Sequence, residues 1–120
     1  MIGRLGWVQI DCADPEALAS FWSEVLGAEE FGRFGDPVQY LSLRSTVPDG
    51  PRVVFQRVPE MKQVKNRLHI DVEVEDIDAA CAAVEALGAT RIEGQDFDVG
   101  DMAWRVMRDP EGNEFCLCRC

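Results

Sequence analysis

The sequence predicts an α+β domain built from two similar halves, and the main observation behind this prediction is an internal repeat. Residues 8–28 read VQIDCADPEALASFWSEVLGA, and residues 70–89 read IDVEVEDIDAACAAVEALGA. Each segment contains an alternating strand, an acidic turn, a helical stripe of apolar residues and a Leu-Gly-Ala ending. We therefore expect a single domain over residues 1–120, with its first half at 1–60 and its second half at 66–120.

Two helices are predicted by the spacing of apolar residues and by the residues at the helix ends. In the first helix, Asp14 is a suitable N-cap before Pro15, and Gly27 can end the helix with a positive φ. The apolar stripe of this helix consists of Leu18, Phe21, Trp22 and Val25. The second helix has the equivalent stripe of Ile77, Ala80, Cys81 and Val84, followed by Gly88. One side of each helix should therefore pack on a sheet, with Trp22 in the core.

The strands are predicted by alternation of apolar and polar residues. In the first strand Val8 and Ile10 alternate with Trp7 and Gln9, and the second half repeats this pattern around His69. Further strands are expected at residues 38–44, 52–57, 90–93, 103–108 and 114–118. The sequence DPEGN predicts a hairpin turn between the last two strands. Each half then contains a strand, a helix and two or three more strands.

One helix in each half can cover only one face of its sheet, so the other face meets a different environment. Aliphatic residues should lie on the helix side, and polar and aromatic residues on the other side. The residues that would be candidate ligand contacts on this other side are Trp7, Gln9, Gln56, His69, Asp71, Trp104 and Cys116. Phe34 and Tyr40 are further candidate walls, because aromatic rings stack on planar ligands. For Trp104 the alternation cannot be anchored, so a place in the core is equally open.

The composition excludes several classes of partner. The chain has a net charge of −10 at pH 7, and nucleic acid and anionic membranes are poor partners because phosphate binding needs clustered Lys and Arg. No apolar run approaches the ~20 residues that span a bilayer, and the first strand starts too close to Met1 for a signal peptide. Five cysteines without evident disulfide spacing fit a reducing compartment, so we expect a cytoplasmic protein.

Three segments carry a resemblance to a known superfamily. They are DPEALASFWSEVLG at residues 14–27, NRLHIDV at 66–72 and RDPEGNEFCL at 108–117. The chain resembles the vicinal-oxygen-chelate superfamily, which includes glyoxalase I, extradiol dioxygenases and bleomycin-resistance proteins, and within it the glyoxalase-like domains. This resemblance implies two tandem βαβββ halves that form a U-shaped, mostly antiparallel sheet cleft. It also implies pairing of two chains, so we expect a homodimer.

The resemblance also implies where a metal ion would bind. Metal-using members hold a divalent ion with two His and two Glu from the first and last strands of each half. The matching positions here are Trp7, Gln56, His69 and Cys116, and only His69 keeps the usual residue type. An indole cannot ligate a metal, a neutral amide is a weak ligand, and the remaining set is chemically mixed. We therefore expect no family-type metal site and no other cofactor, with a divalent ion as a disfavoured alternative.

His69 is the only histidine, and three roles are open to it. It could contact a ligand, act as an acid or base near neutral pH, or satisfy a buried hydrogen bond with Gln56 or Asp71. The last strand carries three thiols on one face, namely Cys116, Cys118 and Cys120. We expect these thiols to pack as small apolar groups, with thiolate chemistry or a soft metal as alternatives.

Three functions are consistent with these observations. The first is a metal-free module that binds a small molecule in the cleft. The second is a lyase, isomerase or dioxygenase in which His69 is the general base and Gln56 donates a hydrogen bond to a developing oxyanion. The third is a non-catalytic dimerisation or regulatory domain. If the ligand is an anion, the candidate cations are Arg44, Arg57 and Arg105, which otherwise read as solvated charges at strand edges.

Overall fold

The computed structural model describes residues 1–120 and divides them into two compact units, Met1–Met61 and Lys62–Cys120. The first unit contains β1 (Trp7–Cys12), α1 (Pro15–Leu26), β2 (Glu30–Phe34), β3 (Tyr40–Leu43) and β4 (Arg52–Arg57). The second unit contains β5 (Ile70–Glu73), α2 (Ile77–Ala86), β6 (Thr90–Val99), β7 (Met102–Arg108) and β8 (Glu114–Arg119). Each unit has the order βαβββ, which confirms the predicted α+β fold of two similar halves. The U-shaped cleft stays a prediction.

Each unit forms one mixed four-stranded sheet, in the orders β1-β4-β3-β2 and β5-β8-β7-β6. The first strand of each sheet pairs in parallel with the last strand, and the other neighbours are antiparallel. This pattern fits the expected, mostly antiparallel sheets. The parallel pair brings the beginning and the end of each half side by side, so that Trp7 lies opposite Arg52.

α1 begins at the N-cap that the sequence predicts, and α2 begins at an Asp in the acidic turn of the second half. The Asp14 carboxylate accepts a hydrogen bond from the Ala17 N–H at 3.2 Å, and α1 ends at Gly27 with a φ of 63°. The Asp76 carboxylate accepts the equivalent bond from the Ala79 N–H at 3.0 Å. These bonds satisfy N–H groups that have no acceptor within the helix. Neither helix is long and apolar enough to cross a membrane.

One face of each sheet packs on the helix of its unit and forms the core. In the first unit α1 lies against β3 and β4, where Leu43 and Phe55 are buried. Trp22 is 1 % exposed, which confirms its predicted place in this core. In the second unit the largest buried side chains are Cys81, Met107, Phe115 and Leu117. The second face of each sheet carries no helix of its own unit.

Three strands differ from the prediction, for local reasons. The alternation misses β2, because its sequence EFGRF has Gly32 at the centre and its register shifts between Glu30 and Gly32. β6 continues to Val99 instead of stopping at 93, because Gly94, with a φ of 77°, marks an irregularity inside the strand and not its end. β3 is shorter than the expected 38–44.

The turn between β7 and β8 is the predicted hairpin. Asp109 is 3 % exposed, and its Oδ1 accepts hydrogen bonds from the backbone N–H groups of Glu111 at 2.9 Å and Asn113 at 3.0 Å. Gly112 adopts a φ of 87°, which glycine allows at little cost. One carboxylate thus holds the turn that leads into the last strand.

Candidate functional site

The face of the first sheet that lies away from α1 carries the predicted site residues of this unit. Paired residues in neighbouring strands point to the same side of a sheet, so Gln9 shares its side with Val54, and Tyr40 with Gln56. Trp7 lies on this side too and is 61 % exposed. The structure therefore brings Trp7, Gln9 and Gln56 onto one surface, which we call the open face.

A cavity of 340 Å³ lies on this open face. Its most buried lining residue is Val54, and Gln9 and Ser42 add polar groups. Cavities of a few hundred Å³ with apolar walls and few polar groups are typical of small-molecule sites. Gln56 is not part of the lining, and its amide instead donates a hydrogen bond to the Tyr40 hydroxyl at 3.2 Å. The aromatic lining residues are Trp7, Phe31, Phe34 and Tyr40.

Six residues that line this cavity were not predicted from the sequence, among them Phe31 and Arg52. Phe31 follows Glu30 at the register shift of β2, and such irregularities redirect a side chain. The Arg52 guanidinium lies 3.7 Å from the centre of the Phe31 ring, and the Arg44 guanidinium lies 4.9 Å from it. Arg52 lies four residues before Gln56 in the predicted strand at 52–57, so alternation already places both side chains on one face and could have found it.

Two of the three candidate anion-binding arginines are engaged elsewhere. The Arg57 side chain donates hydrogen bonds to the backbone carbonyls of Val38 at 2.8 Å and Ala13 at 2.7 Å. The Arg105 side chain is 11 % exposed and forms an ion pair with Asp98 at 3.2 Å. Both arginines therefore hold the protein's own structure together, and only Arg44 of the three lies near the cavity.

The second unit places three donor groups together beside β5, the edge strand of its sheet. His69, directly before β5, has its Nε2 atom 3.2 Å from Oδ1 of Asp71. Cys116 lies opposite Asp71 in the parallel β5–β8 pair and is 8 % exposed. One donor atom from each residue lies within 4.8 Å of the others. We call His69, Asp71 and Cys116 the second-unit cluster.

The surroundings of the cluster keep its thiol protonated. Burial raises the pKa of Cys116 to about 11, and the Asp71 carboxylate adds to this rise through its charge and a hydrogen bond. The pKa of Cys118 is raised too, first by burial and then by Asp71. All five cysteines are free thiols. Because thiolates are the nucleophiles and the metal ligands, Cys116 and Cys118 have little reactivity at neutral pH.

Trp104 lies outside the core of the second unit. It pairs with Cys118 across β7 and β8, so the two side chains point to the same side of the sheet, away from the buried Ala103. Its indole stacks on Phe97, with ring centroids 5.3 Å apart and an angle of 24° between the rings. The sequence leaves two positions open for Trp104, the core and the ligand face. In the structure, Trp104 lies on the sheet face that also carries Cys116.

Equivalent positions in the two units can be identified from the strand registers and the helix N-caps. Gln9 and Asp71 occupy equivalent places before the two helix N-caps. Their parallel partners are Val54 and Cys116. Val54, rather than Gln56, is therefore the first-unit counterpart of Cys116. A valine at this position offers no metal-binding atom.

A larger cavity of 500 Å³ lies in the second unit, beside the segment that precedes β5. Its lining has no aromatic residue and mixes cations with anions, namely Lys62, Lys65, Arg108, Glu111 and Glu114. Lys62 pairs with Glu114 at 3.1 Å, so part of this charge is already neutralised. The cavity of the first unit is therefore the better candidate for an organic ligand.

A family model described as a glyoxalase-like domain matches residues 7–118. The chain belongs to the family of glyoxalase-like domains. The match confirms the superfamily resemblance that the repeated halves and the three motif segments carry. No match is found among the curated proteins.

This glyoxalase-like domain is similar along its length to several solved structures. A glyoxalase/bleomycin resistance protein/dioxygenase family enzyme from Burkholderia phytofirmans PsJN is 20 % identical with a TM-score of 0.78, and 98 % of each chain is covered. TioX from Micromonospora sp. ML1 is 20 % identical with a TM-score of 0.67 and the same coverage. The fosfomycin resistance protein FosX from Listeria monocytogenes, solved with Mn(II) and 1S,2S-dihydroxypropylphosphonic acid, is 16 % identical with a TM-score of 0.76, covering 98 % of this chain and 90 % of that chain. At these identities the likeness shows a shared fold.

The donor set of this glyoxalase-like domain does not fit the divalent ion of metal-using members. The first unit offers Trp7, Val54 and Gln56, none of which is a strong ligand. The second-unit cluster has three donors at suitable spacing, but they are one imidazole, one carboxylate and one thiol. Hard divalent ions prefer several oxygen ligands, which this mixed set lacks.

Proposed function

We propose that this glyoxalase-like domain binds a small molecule in the 340 Å³ cavity of the first unit, without the divalent ion of metal-using members. The observation that carries the proposal is the aromatic lining of this cavity on a sheet face that its own helix leaves open. Aromatic side chains supply a large contact area, and the few polar groups fix the orientation of a ligand. Gln9 and Ser42 are the polar groups within reach of such a ligand.

The second unit supplies a different kind of binding surface. His69 and Asp71 form a polar pair that can donate and accept hydrogen bonds, and Cys116 and Trp104 on the same sheet face are less polar. We keep these four residues as candidate ligand contacts of the second unit. The five free thiols further support a cytoplasmic setting for the protein.

The test is a fluorescence titration with N-phenyl-1-naphthylamine, a neutral aromatic probe, with and without excess EDTA. We expect saturable binding that EDTA leaves unchanged and that Trp7→Ala weakens. Phe97→Ala is the matched control, because it removes a partly exposed ring of the second unit that is outside the cavity, and it should bind the probe as the wild type does. Absence of saturable binding, or equal affinity in Trp7→Ala, would contradict the proposal. Stoichiometric metal in the purified protein would overturn its metal-free part.

The His69–Asp71 contact favours a second candidate function, catalysis with His69 as general base. When Nε2–H donates to the Asp71 carboxylate, Nδ1 keeps the lone pair that can take a proton. Because His69 is the only histidine, the imidazole that diethylpyrocarbonate modifies is that of His69. An enzyme should lose turnover of a small oxygen-rich substrate after this modification. Turnover that survives it would exclude His69 as the base, whereas probe binding in the first unit should not change.

A further inference from the structure

Some of the arginines around the first-unit cavity are neutralised by a carboxylate of the protein, and others are not. Arg33 lines the cavity, but its guanidinium forms ion pairs with Glu16 and Glu30. Arg52 also lines the cavity and has no carboxylate within ion-pair distance, and neither has Arg44 beside it. In a chain with a net charge of −10, two neighbouring arginines without an acidic partner leave local positive charge for a ligand.

Stacking fixes the position of Arg52 without using its hydrogen-bond donors. Its guanidinium lies over the Phe31 ring, 3.7 Å from the ring centre, which is a cation–π contact. Such a contact uses the flat face of the guanidinium, while its N–H groups point outward in the plane. The structure gives these side-chain N–H groups no protein acceptor. Arg52 is thus half-buried, held in place and able to form two parallel hydrogen bonds with a carboxylate.

The strand register places Arg52 beside one of the aromatic walls. Trp7 and Arg52 are direct neighbours across the parallel β1–β4 pair, with side chains on the same face. Neighbouring strands lie about 4.8 Å apart, so the two side chains leave the sheet next to each other. A ring that stacks on the Trp7 indole can therefore carry a carboxylate within reach of Arg52.

This inference rests on the proposed function of the cavity. We propose that the ligand is a planar aromatic carboxylate whose ring stacks on Trp7 and whose carboxylate binds Arg52. Arg44, 4.9 Å from the same Phe31 ring, adds to the positive field at this point. Phe34 and Tyr40 complete the aromatic surroundings of the ring. The cation–π contact of Arg52 then serves to hold the guanidinium ready before the ligand arrives.

The test compares 2-naphthoate with 2-naphthamide, which have the same ring and differ in charge, by calorimetric titration. The wild type should bind the acid about ten-fold more tightly than the amide, as a bidentate charged pair predicts. Arg52→Gln should remove this preference, because it lowers the affinity for the acid far more than the affinity for the amide. Arg52→Lys should keep part of the preference. Arg119→Gln is the matched control, because it removes one exposed positive charge from the second unit and should retain the full preference.

The outcomes separate this inference from the proposed function. If both probes bind with equal affinity and Trp7→Ala weakens both, the cavity binds aromatic molecules but the carboxylate assignment to Arg52 is wrong. If the acid is preferred in Arg52→Gln as strongly as in the wild type, the assignment is also wrong. If neither probe binds, the proposed function itself fails.

Discussion

At the scale of single residues, the Asp71 carboxylate affects two neighbouring side chains of the second unit. Its Oδ1 atom lies 3.2 Å from Nε2 of His69, and the same carboxylate helps to raise the pKa of Cys116 to about 11. One acid therefore lies within ion-pair distance of an imidazole and helps to keep a neighbouring thiol protonated. Arg52 shows the converse situation, a cation that no carboxylate of the protein neutralises.

Asp71→Asn should speed the alkylation of Cys116. After burial, the charge of Asp71 and its hydrogen bond are the main causes of the raised pKa, so removing them lowers the pKa and increases the thiolate fraction. The measurement is the rate of iodoacetamide labelling at pH 8 for each cysteine, read by peptide mass spectrometry. Glu73→Gln is the control, because Glu73 acts on Cys118 and should leave the Cys116 rate unchanged. Equal Cys116 rates in the wild type and Asp71→Asn would show that this explanation is wrong.

At the scale of the elements, Glu114 connects β8 to the segment that precedes β5. Its carboxylate accepts hydrogen bonds from the Asn66 N–H at 2.9 Å and from the Lys62 ammonium at 3.1 Å. Burial by itself would raise the pKa of Glu114, but these partners outweigh burial and lower it. The contacts fix the chain three residues before His69, so Glu114 is a positioning residue for the second-unit cluster.

Glu114→Gln should lower the free energy of unfolding at pH 7 by about 1–3 kcal/mol, because a charged, buried acceptor is lost. A carboxyl group whose pKa is lowered by folding stabilises the native state above its unfolded pKa, and this contribution disappears as the pH falls through the folded pKa. The wild type should therefore lose more stability than the variant as the pH falls below the ordinary glutamate value of 4.5. Urea unfolding at pH 7 and at lower pH measures both effects. Parallel pH curves for the two proteins would contradict the assigned role, and exposed Glu75→Gln serves as control.

The helix caps give a second prediction at this scale. Asp14→Ala and Asp76→Ala should each reduce the free energy of unfolding by about 1 kcal/mol, because each removes the side-chain acceptor of an N-terminal N–H group. Serine at either position should keep most of the stability, since its hydroxyl can accept the same bond. Thermal and urea unfolding of the four variants checks this. An equal loss with alanine and serine would mean that capping is not the cause.

Elements with a local signal could be predicted from the sequence, and those that depend on distant pairing could not. The helices carried their apolar stripes within a few residues, and α1 begins at the predicted N-cap Asp14. β2 has a glycine at its centre and a shifted register, so its local pattern is not that of a strand. Missing β2 meant missing Phe31, and with it the contact that holds Arg52 at the cavity. The faces of Trp7 and Gln9 follow from alternation, but the neighbour of Trp7 in space depends on a strand 45 residues away.

At the scale of the whole molecule, the exposed aromatic surface and the acidic charge act in opposite directions. Trp7 and Phe34 are 61 % and 71 % exposed, and contiguous apolar surface of this kind favours association or ligand binding. A net charge of −10 opposes the association of identical chains. The resemblance to superfamily members that pair their chains makes us favour association.

We expect a homodimer at micromolar concentration, measured by light scattering coupled to size-exclusion chromatography. Raising the salt concentration should strengthen the dimer, because salt screens the repulsion between two acidic chains. A mass of one chain at every salt concentration would refute this expectation. A dimer that weakens as salt is added would show that ion pairs, and not apolar surface, hold the chains together.

The central claim, that a ligand binds on the aromatic face of the first unit, is tested most directly by the three tryptophan indole N–H signals in a proton–nitrogen NMR spectrum. Trp7 lines the cavity, Trp22 is 1 % exposed in the core, and Trp104 lies in the second unit. On titration with 2-naphthoate, the Trp7 signal should shift and saturate at stoichiometric ligand, while the Trp22 signal stays in place. A spectrum in which the Trp7 signal does not move at ligand concentrations that shift Trp104 would contradict the claim.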